Sequence, residues 1–385
     1  MGGAPGSRGR QRADQALCYV PRMPFRLLIP TLDSRLCRWV PCLAIWALSG
    51  CSTVGYYGQL ADGQLRLLAA REPVAEVVAD PTRDPALRQR LELSQEARAF
   101  ASAELGLPDN QSYRLYADIH RPNVVWNVFA TPELSLQPLT HCFPIAGCVA
   151  YRGYYGDKGA QAEAKRLKEQ GLDVYVGGVE AYSTLGWFDD PILSSMLRWG
   201  DQRLAETIFH ELAHQKFYLP GDTAFNESYA SFVEAEGGRR WRAARHLPDE
   251  SPLLAEQRKR FTQLVLDARE RLQVLYASPR SDAQKRTGKQ AEFERLRRDY
   301  ARMRDEDWGG KAPFDAWVNA PLNNAKLLPF GLYDQWVPAF AALFAQVGGN
   351  WPAFYARVEK LGALPPAERK VALEKLKAGE FLSFR

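Results

Sequence analysis

Histidine is scarce in this sequence, with five in 385 residues. Cysteine is scarce as well: of six, only Cys142 and Cys148 lie beyond Cys51. A scaffold stapled by several disulfides is excluded for everything after that point. Charge of one sign is also lacking there. Residues 1–50 carry seven Arg and two Asp, and removing them from 50 basic and 45 acidic residues leaves 43 of each. A balanced surface argues against nucleic-acid binding, and no RNA- or DNA-binding motif is present. No hydrophobic run is long: the apolar stretch from Trp39 to Gly50 is too short to span a bilayer as a mature helix. There is no internal repeat and no long low-complexity segment. The part from Cys51 onward suffices for one large domain or two fused subdomains.

Against that scarcity, two histidines stand together in Phe209-His210-Glu211-Leu212-Ala213-His214-Gln215. This is an H-E-x-x-H pattern on a stretch with helical periodicity. His210 and His214 are one turn apart, so both imidazoles project from the same face. Two neutral imidazoles so placed can hold Zn²⁺, with Glu211 beside the open position. A carboxylate there can take a proton from water activated by the metal.

A catalytic zinc site needs a third protein ligand. Downstream runs Phe225-Asn226-Glu227-Ser228-Tyr229-Ala230-Ser231-Phe232-Val233-Glu234. Gly221-Asp222-Thr223 reads as a turn and N-cap, so a helix-turn-helix brings Glu227 back over the histidine pair. Glu234 lies two turns further on the same face and can accept the outer N–H of a ligating histidine. Ala230 and Ser231 are small, which suits close helix packing.

These blocks resemble the gluzincin signature, and their wording is similar to that of the aminopeptidase N family. The resemblance implies one Zn²⁺ per chain held by His210, His214 and Glu227, with Glu211 as general base and Glu234 supporting a ligand. Over most of its length the chain is similar to a family of bacterial lipoproteins described as zinc-dependent aminopeptidases. The supporting blocks run from Cys142 to Cys148, from Tyr182 to Pro191 and from Asn323 to Ala325.

The N-terminus fits that likeness. Leu48-Ser49-Gly50-Cys51 follows a short apolar core and the Arg-bearing stretch of Arg26, Arg35 and Arg38. This resembles a bacterial lipoprotein signal, in which Cys51 becomes the acylated first residue and holds the protein at a membrane. Met23 leaves a signal of ordinary length, and residues 1–22 are rich in Gly and Arg. Ser52 is not the Asp that retains lipoproteins in the inner membrane. The expected location is the periplasm-facing surface of the outer membrane of a Gram-negative bacterium. In that oxidising compartment Cys142 and Cys148, separated by a turn through Pro144 and Gly147, form a disulfide.

The expected fold class is α+β, a mostly helical zincin-like domain. The chain divides into a signal region 1–50, a catalytic part 51–250, a charged helical hairpin 251–310 and a helical part 311–385 that completes the site. Helices are expected at about 63–70, 85–105 and 159–170. Strands are expected within 112–129 and at 149–155, 173–177 and 182–188. The stretch from Tyr182 to Trp187 is the candidate edge strand against which an extended peptide pairs. Asp190 before Pro191 is expected to cap a helix; the Asp189-Asp190 corner could instead bind a substrate α-amine. The hairpin turns at Ala277-Ser278-Pro279-Arg280-Ser281. Asn323, Asn324 and Tyr333 are of interest in the C-terminal part. A zinc peptidase needs a donor for the oxyanion, and Tyr333 is the choice, with Tyr229 as competitor. The expected function is peptide-bond hydrolysis, with N-terminal trimming favoured through the resemblance. An envelope endopeptidase for misfolded proteins and a non-catalytic envelope scaffold are the alternatives.

Overall fold

All the strands of the described residues lie between Arg71 and Leu193, and from Asp201 onward the chain is helical. The computed structural model describes residues 40–143, 147–181, 183–198, 200–248 and 252–382. Contacts divide the chain into two units, Met1–Tyr56 and Tyr57–Arg385. In the first, the backbone from Val40 onward belongs to helix α1 (Val40–Ala69). Residues 1–39 and the side chain of Cys51 lie outside the described residues, and the signal and lipidation expectations fall there. Among the described residues no helix is long and apolar enough to cross a membrane.

In the second unit β1 (Arg71–Pro73) and α2 (Val74–Ala79) precede α3 (Pro85–Ala103). Asp84 starts α3 by accepting from Ala86 N at 2.7 Å, with Pro85 already fixed for the first turn. Leu91, Ala97 and Ala101 form its buried stripe. The strands are β2 (Leu115–Ala117), β3 (Val125–Pro132), β4 (His141–Phe143), β5 (Gly147–Val149) and β6 (Arg152–Tyr154). Helix α4 (Asp157–Glu169), β7 (Leu172–Val179) and β8 (Ile192–Leu193) complete this half. They make three small sheets. One has the order β1-β2-β8, with β2 and β8 parallel; a second, antiparallel, has the order β6-β3-β7. The third is the β4–β5 hairpin, where Cys142 and Cys148 are register partners and are joined by a disulfide.

The segment from Ser183 to Phe188 is a turn and not the expected strand; Tyr182 lies outside the described residues. Leu185 and Gly186 have φ of 58° and 80°, which an extended strand cannot contain. The alternation of aromatic and polar residues there is a strand-like pattern overridden by local chemistry. Thr184 N and Oγ1 both donate to the Asp190 carboxylate, at 3.0 and 2.8 Å, and close the chain on itself. Asp190 therefore closes a turn rather than capping a helix.

A single 3-10 turn (Met196–Arg198) leads into α5 (Asp201–Lys216), which pairs with α6 (Thr223–Ala244). Next come α7 (Pro252–Ala277) and α8 (Asp282–Arg302), with a π-type turn at Met303–Asp307. Ser281 and Gln284 form a reciprocal capping box at the start of α8. The rest is helical: α9 (Asp315–Asn319), α10 (Asn324–Tyr333), α11 (Val337–Gln346), α12 (Trp351–Gly362) and α13 (Pro366–Lys377). The class is α+β and mostly helical.

Two apolar clusters matter here. The larger surrounds α5 and α6 and includes Phe209, Leu212, Phe225, Tyr229, Phe340 and Phe354. The smaller lies under the α7–α8 hairpin and includes Phe261, Leu272, Phe293, Tyr300 and Trp308. The hairpin is fastened to the sheet by Lys289, whose Nζ meets Asp173 at 2.6 Å and the Glu133 carbonyl at 2.8 Å.

Candidate metal centre

The site is built on α5 and α6. The turn between them is set by its polar residues. Asp222 caps α6 through Phe225 N at 3.1 Å, and Asn226 bridges to Leu219 N and O at 2.8 Å each. Close approach of the two helices depends on α6 glycines. A Cβ on Gly237 would lie 3.0 Å from the Phe209 ring and 2.8 Å from Leu105. Without a side chain there, Phe209 seats against α6 and the next residue, His210, faces the acidic residues of α6.

Three ligand-type atoms converge. His210 Nε2 and His214 Nε2 are 3.2 Å apart, and Glu227 Oε2 lies 3.5 Å from the first and 3.6 Å from the second. Their side chains are 9 to 12 % exposed. Among the described residues this is the one group of three that could hold a metal ion. A tetrahedral first-row ion with bonds of about 2.05 Å sets its ligands about 3.3 Å apart, so the observed triangle fits such an ion.

Second contacts fix the rings. His210 Nδ1 meets Glu234 Oε2 at 2.8 Å, which leaves Nε2 for the centre. Glu234 in turn pairs with Arg203, about two turns before His210 on α5. Burial opposes a charged His210, but Glu227 and Glu234 on either side outweigh it and raise the ring to about 10. Burial likewise opposes an ionised Glu227, and the two histidines outweigh it, to about 2. Glu211 is buried at 8 % exposure. Burial raises its carboxyl above the usual range against the pull of His210 and His214.

Tyr333, at the end of α10, reaches the same place. Its ring stacks on His210 with centroids 6.3 Å apart and planes 24° apart. Burial, and then the charge of Glu227, holds its hydroxyl well above the ordinary range. Tyr229, the competitor, is not at the centre. It is fully buried among Phe217, Phe340 and Phe354, and its hydroxyl has no partner. Asn323 and Asn324 are anchors of α10. Asn323 caps it and donates to the Val174 carbonyl at 2.9 Å; Asn324 donates to Glu133 O and Ser135 O at 2.8 and 2.9 Å. They hold the helix that presents Tyr333.

Sequence reasoning missed Arg203 and Gln215. Gln215 follows His214 and donates to Ser112 Oγ at 3.2 Å and Asp190 Oδ2 at 3.3 Å, while Asn110 donates to its Oε1 at 2.7 Å. Helical phase carries the only signal for either: Arg203, seven residues before His210, lies on the same face of α5. Their partners are more than 20 residues away, so spacing cannot name them.

The sequence model of the family described as "Putative aminopeptidase" matches residues 55–373. The chain belongs to this family. That span covers the whole metal centre, from the strands through α5 and α6 to Tyr333. Membership supports a peptidase-like activity. No curated protein and no solved structure was found to match.

Proposed function

We propose that this family member is a zinc-dependent metallopeptidase, acting as an aminopeptidase at the bacterial envelope, where a lipidated Cys51 anchors it. The observation that carries the reading is the His210–His214–Glu227 triangle, whose edges of 3.2, 3.5 and 3.6 Å match the span of a tetrahedral zinc ligand set. Two imidazoles and one carboxylate are also a donor set that zinc favours in hydrolytic sites. When bound, Zn²⁺ supplies Lewis acidity that acidifies water and polarises a carbonyl.

The side chains do the rest. Glu234 keeps the His210 proton on Nδ1, so the Nε2 lone pair is directed inward. Glu211 takes the proton of the attacking water and passes it to the leaving amine. Its burial suits this, because a carboxyl raised above its usual range is the stronger base. Tyr333 stays protonated and donates its hydroxyl to the developing oxyanion.

One observation favours the endopeptidase alternative. Asp190, the sequence's candidate for an α-amine, directs its carboxylate to Thr184 and Gln215. The experiment is hydrolysis of free-amine and acetylated peptides by wild type and Glu211→Gln, with metal content measured in both. Loss of cleavage with zinc retained supports the mechanism, and equal activity in both proteins sinks it. Cleavage of acetylated peptides at the free-amine rate replaces aminopeptidase with endopeptidase. Acyl labelling of wild type but not Cys51→Ser tests the anchor.

A further inference from the structure

Trp187 is 67 % exposed and Phe188 46 % exposed. Two adjacent aromatic rings in water are costly unless something covers them. They sit on the Ser183–Asp190 turn, and that turn is fixed. Trp187 N donates to Thr184 O at 3.2 Å and Phe188 N to Thr184 Oγ1 at 3.1 Å. Leu185 N donates to Ser183 Oγ at 3.1 Å, and Leu185 holds a φ of 58°, a conformation that a branched apolar residue rarely adopts. At its C-terminal end, Tyr113 N donates to Asp190 O at 2.6 Å and an Arg71 guanidinium N–H to Asp189 O at 2.9 Å. A loop whose backbone is held at this many points presents its side chains without ordering cost.

The tether leads to the metal centre. Gln215 is the residue after His214. Its Nε2 donates to Asp190 Oδ2 at 3.3 Å and to Ser183 Oγ at 3.4 Å. A Cβ on Gly186, the residue before Trp187, would stand 3.6 Å from Gln215 Oε1. The charge of Asp190 is felt by Glu211. Gln215 is itself held by Asn110, whose carbonyl accepts from the buried Arg98 guanidinium at 3.0 Å.

We propose that Trp187 and Phe188 form the apolar wall that selects an uncharged, apolar side chain of the peptide substrate, and that Gln215 positions this wall relative to His214. This rests on the peptidase reading and adds the substrate class to it. An apolar residue fits because the turn presents two rings while the Asp190 carboxylate is occupied by Thr184 and Gln215 and is 3 % exposed; the exposed Asp189 beside them disfavours an acidic side chain.

The test uses the full protein carrying Glu211→Gln and loaded with zinc, and calorimetry with pentapeptides that differ only in a first residue of Leu, Phe, Gly or Asp. Leu and Phe peptides are expected to bind about tenfold more tightly than Gly, the order expected for burying one apolar side chain. Adding Trp187→Ala and Phe188→Ala is expected to abolish that preference at unchanged zinc content and melting temperature. Gln215→Ala is expected to weaken the preference in the same direction, and Gln215→Glu, which cannot donate to the Asp190 carboxylate, to weaken it at least as far. Equal discrimination with and without the two rings overturns the proposal. So does a double variant that keeps its peptide preference but no longer binds vesicles of phosphatidylethanolamine and phosphatidylglycerol, which assigns the rings to a membrane surface. Wild type that cleaves peptides without apolar preference removes this inference alone. Zinc-loaded protein that neither binds nor cleaves any peptide removes the peptidase reading with it.

Discussion

Two antiparallel helix pairs, α5–α6 and α7–α8, are built from the same motif to opposite ends. The α5–α6 pair turns its polar residues inward, and Glu211, His214 and Glu227 are buried. The α7–α8 hairpin turns its charges outward and keeps a core of Phe261, Leu272, Phe293 and Leu296. Its ion pairs are mostly exposed, as in Arg295–Asp299 and Arg298–Glu294. Burying uncompensated carboxylates and imidazoles is destabilising. The first pair accepts that cost where a cation can offset it, and the second pair follows the ordinary rule. Substitutions in α5–α6 should therefore change chemistry before stability, and substitutions in the hairpin should do the reverse.

The strongest test of that contrast is Glu211→Gln. It is expected to lower kcat by about 10³-fold, the scale of removing one general base, with zinc stoichiometry unchanged. Melting should move little or upward, because the amide removes a carboxyl whose charged form burial already disfavours. A variant that loses zinc and activity together would make Glu211 a structural residue. The opposite behaviour is expected for Asp173→Ala, which strips the carboxylate from Lys289 and from Asn324 N where the hairpin meets the sheet. Leaving a nearly buried ammonium unpaired is expected to cost about 3 kcal/mol in denaturant unfolding. Zinc affinity should stay within about twofold if the two regions are independent.

What the sequence made legible follows the same division. His210 and His214 are read from helical spacing, Glu227 from the turn that folds the next helix back and from the resemblance, and Glu234 from its spacing to Glu227. The hairpin was legible because Pro279, within Ala277–Ser281, cannot continue a helix interior. The Ser183–Asp190 turn was not. Its residues alternate as a strand would, and the fact that decides otherwise is a side chain, Asp190, closing on Thr184. The choice of Tyr333 over Tyr229 had little behind it in the sequence, because only packing places Tyr229 in the aromatic core and Tyr333 over His210. Gln215 and Arg203 are invisible for the same reason: each acts through a partner more than 20 residues away.

Buried carboxylates outside the centre give the contrast a pH dependence. Burial raises Asp190 from 3.8 to about 6, and Asp334 likewise. Both therefore hold a proton in the fold at pH 5 that they release when unfolded. The stability this contributes is complete below the unfolded pKa and is lost as pH rises through about 6. For Asp190 the change is about 3 kcal/mol between pH 3.5 and 6.5. It should appear as a falling unfolding free energy across that window, superposed on the opposite trend from paired carboxylates such as Glu163. Asp190→Asn should remove its share of the fall, and an unchanged profile would show that the turn ionises freely. Within the centre, Glu234→Gln is expected to weaken zinc binding by about 10- to 100-fold, the usual consequence of losing the carboxylate behind a ligating histidine. Competition with a chromogenic chelator reads this directly, and an unchanged affinity would mean that Arg203 and Glu234 only fasten the two helices together.

The smallest expected effect is the most discriminating between the two helix pairs. Arg295 and Asp299 stand one turn apart on α8, with side chains 52 % and 29 % exposed and 3.4 Å between them. Water and salt screen such a pair, so Asp299→Ala should change stability by less than about 0.5 kcal/mol and leave zinc binding and hydrolysis untouched. His210 and Glu234 stand at 2.8 Å with 12 % and 17 % exposed. The two contacts share a type, a side-chain N–H donated to a carboxylate, and differ in burial and in what lies on the far side of the ring. If removing Asp299 were to alter zinc affinity as much as removing Glu234, the hairpin would belong to the site, and the division between the two pairs would fail. A null result at Asp299 beside a large one at Glu234 locates the difference in burial, where a contact to a carboxylate ceases to be screened.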